Sequence, residues 1–99
     1  MIRVNILVVD PDEADELLAA WTADAAFMKG RPGFISTQLH RGIAGSGTFV
    51  NVAVWESVDA FRDAFSSPEF QEKLAHYPPS TTATPHLVRK EAVTGICVG

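Results

Sequence analysis

The 99-residue chain has one cysteine, Cys97, so neither an internal disulfide nor a cysteine-rich metal site can form. Its three histidines, His40, His76 and His86, are far apart and lack carboxylates at ligand spacing, which removes the usual metal signatures. Positive charge is scarce as well: eight Lys and Arg stand against twelve Asp and Glu, a net charge of −4. With no basic patch, a nucleic-acid partner is not expected. No apolar run approaches the roughly 20 residues of a membrane span. The opening residues 1–9 are apolar but run straight into Asp10-Pro11-Asp12-Glu13, without a signal-peptide cleavage region. A cytoplasmic protein with no membrane partner is expected. Residues 42–47 are rich in glycine but lack the Gly-Lys-Ser/Thr ending of a phosphate loop and precede a strand, so they read as a hairpin link.

What remains is ordinary for a globular protein, with 46% hydrophobic and 20% charged residues; disorder would need far fewer of the first. The length suits one domain over residues 1–99. A chain of this size buries only about 60–65% of its unfolded surface, so self-association is a natural supplement.

Residues 2–9 form a β-rich run that breaks at Asp10-Pro11. There Asp10 is placed as an N-cap, Pro11 as the first helical residue and Glu13 as the carboxylate of a capping box. In the helix that follows, Ala14, Leu17, Leu18, Trp21, Ala25 and Met28 recur on one stripe, and Gly30 ends it. Residues 34–41 alternate as a strand, and the glycine link joins them to a second strand as a hairpin. Ser57 is predicted to cap a helix carrying Phe61 and Phe65. Ser67-Pro68 restarts a helix carrying Phe70 and Leu74, which places a break near Ser66. Residues 77–84 read as a loop, 86–93 as a final strand with His86 at its edge, and 94–99 as an apolar tail able to lie along a partner subunit. The order β-α-β-β-α-β predicts a ferredoxin-like α+β fold, an antiparallel sheet with helices on one face. Its uncovered apolar face predicts a sheet-to-sheet homodimer.

The strand beginning at Thr48 carries the most chemical information. Val50, Val52 and Val54 make one face; Phe49, Asn51, Ala53 and Trp55 make the other. A plain core strand would put an apolar residue at position 51, since a buried amide without partners costs about 1–3 kcal/mol. An amide beside an indole reads instead as a pocket lining; the alternative is a structural amide tying backbone groups together beneath a helix. If Arg41 pairs with Thr48, then His40 faces Phe49, Gln38 faces Asn51, Ser36 faces Ala53 and Phe34 faces Trp55. That register gathers Ser36, Gln38, His40, Asn51 and Trp55 on one face, and a slip of one residue would scatter them. His40 is then the candidate general base, because an imidazole titrates near neutrality. His76 is the candidate at the pocket mouth, with the favourable end of a helix dipole as its alternative role. Phe61 and Phe65 are candidate apolar walls.

The run Phe49-Val-Asn-Val-Ala-Val-Trp-Glu-Ser-Val-Asp-Ala-Phe-Arg62, followed by Ser67-Pro-Glu-Phe70 and preceded by Pro32-Gly33-Phe34, resembles the antibiotic biosynthesis monooxygenase family. The likeness spans residues 5–86. It implies a homodimer in which two ferredoxin-like sheets form an α+β barrel, with a pocket between sheet and helices in each subunit. In the family's quinone-forming anthrone oxygenases an amide and an indole on the third strand line the site, and Asn51 and Trp55 match both. Those enzymes also carry a tyrosine just after the amide, a tyrosine on the following helix and an arginine further along; here these places hold Val52, Phe61 and Gln71. In the haem-degrading branch a first-strand asparagine is matched by Asn5, but the tryptophan and the histidine ligand fall on Ala64 and Leu74. His76 lies two positions on, about 200° around a helix.

The resemblance thus implies a cofactor-independent monooxygenase that oxidises an electron-rich aromatic or polyketide-like molecule with O2, with no cofactor and no metal. Asn51, Trp55 and His40 are its expected catalytic set, and Gln38, Ser36, Phe61, Phe65, Asn5 and His76 its expected substrate contacts. The alternative is a non-catalytic dimeric binding module for a small hydrophobic metabolite or haem.

Overall fold

Alternation along Ile2–Val8 makes a strand, β1, that turns Arg3, Asn5 and Leu7 to one face and Ile2, Val4, Ile6 and Val8 to the other. In the computed structural model, which describes residues 1–97, β1 is an inner strand of a four-stranded sheet ordered β2-β3-β1-β4. Here β2 is Phe34–Arg41, β3 is Thr48–Trp55 and β4 is Thr82–Val88. All neighbouring pairs are antiparallel. Three helices, α1 (Ala14–Lys29), α2 (Val58–Phe65) and α3 (Pro68–Leu74), cover one face. Leu7 and Phe49 of the sheet pack with Leu17 of α1, while Ala53 and Trp55 pack with Met28, Ala64 and Phe70. This is the expected ferredoxin-like α+β arrangement. Among the described residues no helix is long and apolar enough to cross a membrane.

Local signals account for most boundaries. Ser57 accepts a hydrogen bond from the Ala60 N–H at 3.1 Å and Ser67 one from the Phe70 N–H at 3.3 Å. With Pro68 opening α3, these caps split the second helical region at Ser66, as expected. The first helix departs from expectation. Asp10 makes no side-chain cap, and Pro11–Glu13 form a single 3₁₀ turn. Ser80 supplies the polar link instead: its hydroxyl accepts from the Asp10 N–H at 3.2 Å and donates to Glu13 Oε2 at 2.9 Å.

The last strand begins at Thr82, not at residue 86. Its Thr-Ala-Thr-Pro start has loop-like composition, and pairing with β1 decides the outcome. Pro85 is tolerated because β4 is an edge strand, where a missing N–H breaks no ladder on the outer side. Residues 89–97 are exposed, and residues 98 and 99 of the expected apolar tail lie outside the described residues.

The β2–β3 hairpin pairs one residue away from the expected register. The glycine link closes through the Gly42 N–H and the Thr48 carbonyl at 2.8 Å, so Arg41 stands opposite Phe49, Leu39 opposite Asn51 and Thr37 opposite Ala53. Because side chains alternate, this single step turns Ser36, Gln38 and His40 onto the outer face with Val50, Val52 and Val54. A bulge at Ile35 then returns Phe34 to a position opposite Trp55.

Candidate active site

Between the inner face of the sheet and the helices lies a cavity of about 480 Å³, a size typical of small-molecule sites. The central strands build its floor. Asn5 of β1 and Asn51 of β3 are direct partners across the ladder, so two amides sit side by side. The Thr37 hydroxyl donates to Asn51 Oδ1 at 2.6 Å. That bond occupies the acceptor and leaves the Asn51 Nδ2 hydrogens without an acceptor among the described residues. Asn5 Oδ1 is buried and, among the described residues, has no donor. A buried acceptor in this condition is costly, and a ligand hydroxyl or water entering the cavity would relieve it.

The walls are aromatic. Trp55, 2% exposed, meets Phe34 edge-on at 5.4 Å and 89° and Phe61 at 5.7 Å and 70°. Phe65 continues the wall, 5.5 Å from Phe61 and 5.2 Å from Phe70. Such tilted contacts hold the rings in place and present an apolar surface that suits a planar ligand.

Arg3, Asp24 and Tyr77 also line the cavity, and none was anticipated. Asp24, on α1, is 8% exposed, and its Oδ2 accepts a hydrogen bond from the Tyr77 hydroxyl. The Arg3 guanidinium lies 4.9 Å over the Phe61 ring. Burial raises the Asp24 pKa, against the lowering effects of the Tyr77 hydrogen bond and the Arg3 and Lys73 charges. Burial likewise lowers the Arg3 pKa and, together with its bond to Asp24, raises that of Tyr77. Two of the three carried a readable signal. Arg3 alternates with Asn5 on β1, and Asp24 continues the buried stripe Leu17, Ala20, Asp24, Met28 of α1. Tyr77 follows α3 in a loop and carries no periodic signal.

Of the residues singled out in the sequence, Asn5, Asn51, Trp55, Phe61 and Phe65 converge on this cavity. Ser36, Gln38 and His40 do not, because the hairpin register places them on the outer face. His76 is exposed beyond the end of α3 and is not among the lining residues, whereas Leu74 is. Among the described residues no three His, Cys, Asp or Glu side chains converge as a metal site.

The raised Asp24 pKa has a measurable consequence for stability. The folded chain holds this proton above the ordinary value of 3.8, so folding is favoured at low pH and weakens as pH rises from 3.8 through the raised folded value. Asp24→Asn removes that slope. In thermal unfolding, the Tm difference between variant and native chain should move in the variant's favour across this window and level off above it. A difference independent of pH would contradict the burial argument.

The family pattern of the antibiotic biosynthesis monooxygenases matches residues 1–75, from β1 through α3. The deoxynogalonate monooxygenase of Streptomyces nogalater is 38% identical over 55 residues, which are 56% of this chain and 47% of that protein. The chain thus matches about half the length of that relative. SnoaB from Streptomyces nogalater, a cofactor-independent oxygenase, is similar over 95% of both chains, with a TM-score of 0.79 and 27% identity. A protein of known structure from Shewanella loihica is similar over 93% of this chain and 94% of its own, with a TM-score of 0.78 and 28% identity. The floor amides, the aromatic wall and the sheet that carries them lie largely within the matched span, and the chain belongs to the antibiotic biosynthesis monooxygenase family.

Proposed function

We propose that this protein is a cofactor-independent monooxygenase acting on an electron-rich, planar aromatic or polyketide-like molecule that can ionise to an enolate. The observation that carries the reading is the joint placement of Asn51 and Trp55 in one aromatic-walled cavity. The likeness to SnoaB supports the oxygen chemistry. In this reading the substrate ring lies against Trp55 and Phe61, and the Asn51 Nδ2 donates to the enolate oxygen. A preorganised donor aimed at a developing anion, beside apolar walls, lowers the barrier to forming it. The enolate then supplies the electrons that reduce O2. Overall a CH2 group and O2 become C=O and H2O, with four electrons passing from carbon to oxygen.

Aerobic incubation with anthrone tests the proposal. Oxygen uptake above buffer, with a carbonyl product, is the expected result; no uptake removes the reading. Tight binding of anthrone without uptake would favour a non-catalytic binding module.

The outer face of the sheet is proposed as the seam of a homodimer. Ile2, Val4, Ile6, Val8, Val50 and Val52 form its apolar centre, and Val8 is 44% exposed in the single chain. Val52→Asp puts a carboxylate into that centre, where an uncompensated charge would be desolvated on association. Light scattering should report a dimer for the native chain and a monomer for Val52→Asp. A monomeric native chain at micromolar concentration removes this proposal.

A further inference from the structure

The reaction needs a proton acceptor, and His40, on the outer face, is on the wrong side of the sheet. Among the described cavity-lining residues the ionisable side chains are Arg3, Asp24 and Tyr77. Arg3 is a cation and has no basic lone pair to offer. The Tyr77 proton is already given to Asp24 Oδ2. Asp24 Oδ1 has no hydrogen-bond partner among the described residues, and the buried side chain holds one orientation because Tyr77 fixes its other oxygen.

We propose that Asp24, held by the Tyr77 hydroxyl and facing the Arg3 charge, takes the substrate's proton. The assignment rests on the reading just given, in which the cavity holds an enolisable aryl ketone. In the first step the acidic C–H bond breaks, its electron pair stays on the substrate as an enolate, and the proton passes to Asp24 Oδ1. The enolate oxygen is met by Asn51 Nδ2 and the Arg3 guanidinium. The latter is stacked on Phe61 and makes no side-chain ion pair among the described residues, so its charge is available to the anion. After the carbanion adds to O2, Asp24 returns its proton to the peroxide anion. Asp24 then removes the second C–H proton as the O–O bond breaks, and hands it to the departing hydroxide as water. The carboxylate is regenerated and the sum is again CH2 plus O2 giving C=O plus H2O.

Tyr77 and Arg3 are suited to this cycle in opposite ways. The Tyr77 hydroxyl donates to Asp24 in both of its protonation states, so the side chain keeps its aim as it takes and returns the proton. Arg3 stabilises whichever partner is negative. The charged and titratable groups that act on Asp24 are Arg3 from β1, Lys73 from α3 and Tyr77 from the loop after α3. Burial outweighs their combined pull and raises the carboxyl above its ordinary 3.8, which makes the carboxylate a stronger base than a free one.

The test is proton exchange without oxygen. Under anaerobic conditions in D2O, the native chain should exchange the methylene hydrogens of anthrone above the buffer rate, followed by mass spectrometry. Asp24→Asn should lower the exchange rate by about 100-fold or more, while Asp24→Glu keeps a measurable part of it. Quenching of tryptophan fluorescence by the unreactive probe 9,10-anthraquinone should show that Asp24→Asn still binds within about threefold of the native chain. The native pH profile should rise with one ionisation, displaced upward from 3.8, and that limb should vanish in Asp24→Asn. Exchange that is lost in Asp24→Asn but comes without oxygen uptake supports Asp24 as the proton acceptor and removes the oxygenase reading. Oxygen uptake without exchange, no exchange by the native chain, or exchange untouched by Asp24→Asn overturns the assignment.

Discussion

Asn51→Ala is expected to lower kcat for oxygen uptake on anthrone by about 100- to 1,000-fold, the loss seen when one preorganised anion donor is removed. The argument is geometric. Thr37 binds Asn51 Oδ1 at 2.6 Å, which fixes which end of the amide remains to donate. A donor already oriented need not reorganise as negative charge develops, so its loss falls mainly on kcat and only weakly on KM. Asn51→Asp keeps the shape but replaces donors by acceptors, and should be at least as damaging. Steady-state oxygen-electrode kinetics distinguish the outcomes. An Asn51→Ala variant within threefold of the native kcat would mean that the amide only braces the hairpin through Thr37.

Gly47→Ala is expected to lose about 3 kcal/mol of stability, the upper part of the range for overpacking a filled site. A Cβ at position 47 would overlap the carbonyl oxygen of Val9, with the Val9 carbonyl carbon and the Pro11 nitrogen behind it. These are main-chain atoms, so no rotamer change makes room. The Val9 N–H donates to the Gly47 carbonyl at 2.9 Å, and moving the strands apart would break this bond where β1 leaves the sheet. For a domain near 100 residues the loss corresponds to a fall in Tm of roughly 12–24 °C. Gly30→Ala is the matched control, because its Cβ meets nothing closer than a carbonyl at 3.7 Å and should shift Tm by only a few degrees. Equal Tm values for the two variants would show that β1 and the glycine link yield to each other more easily than the packing implies.

The fold and half of the site were legible for one reason: periodicity. Two-residue alternation put Asn51 and Trp55 on one face of β3, and helical spacing brought Phe61 and Phe65 above it. The same rule failed at β2 because alternation gives faces only within a strand. Which face of β2 joins which face of β3 depends on where the link closes, and six residues rich in glycine close in more than one way. One step of register removed Ser36, Gln38 and His40 together. Asp24 was hidden differently. It occupies the buried stripe at correct spacing, but a lone acid there reads as the polar edge of an amphipathic helix unless its partners are known. Those partners come from the other end of the chain: Tyr77 is separated from Asp24 by 53 positions. No local pattern links the two.

The family pattern ends at residue 75, yet Tyr77, Pro78, Thr81, Ala83 and Pro85 all contribute to the cavity. The chamber is therefore built from a floor laid down early in the chain and a closing rim supplied by its last quarter. Substitutions in the β4 part of that rim carry little risk to folding, since β4 is an edge strand that touches the sheet through β1 alone. The choice of molecules the chamber admits can then be altered near the C-terminus without touching its floor.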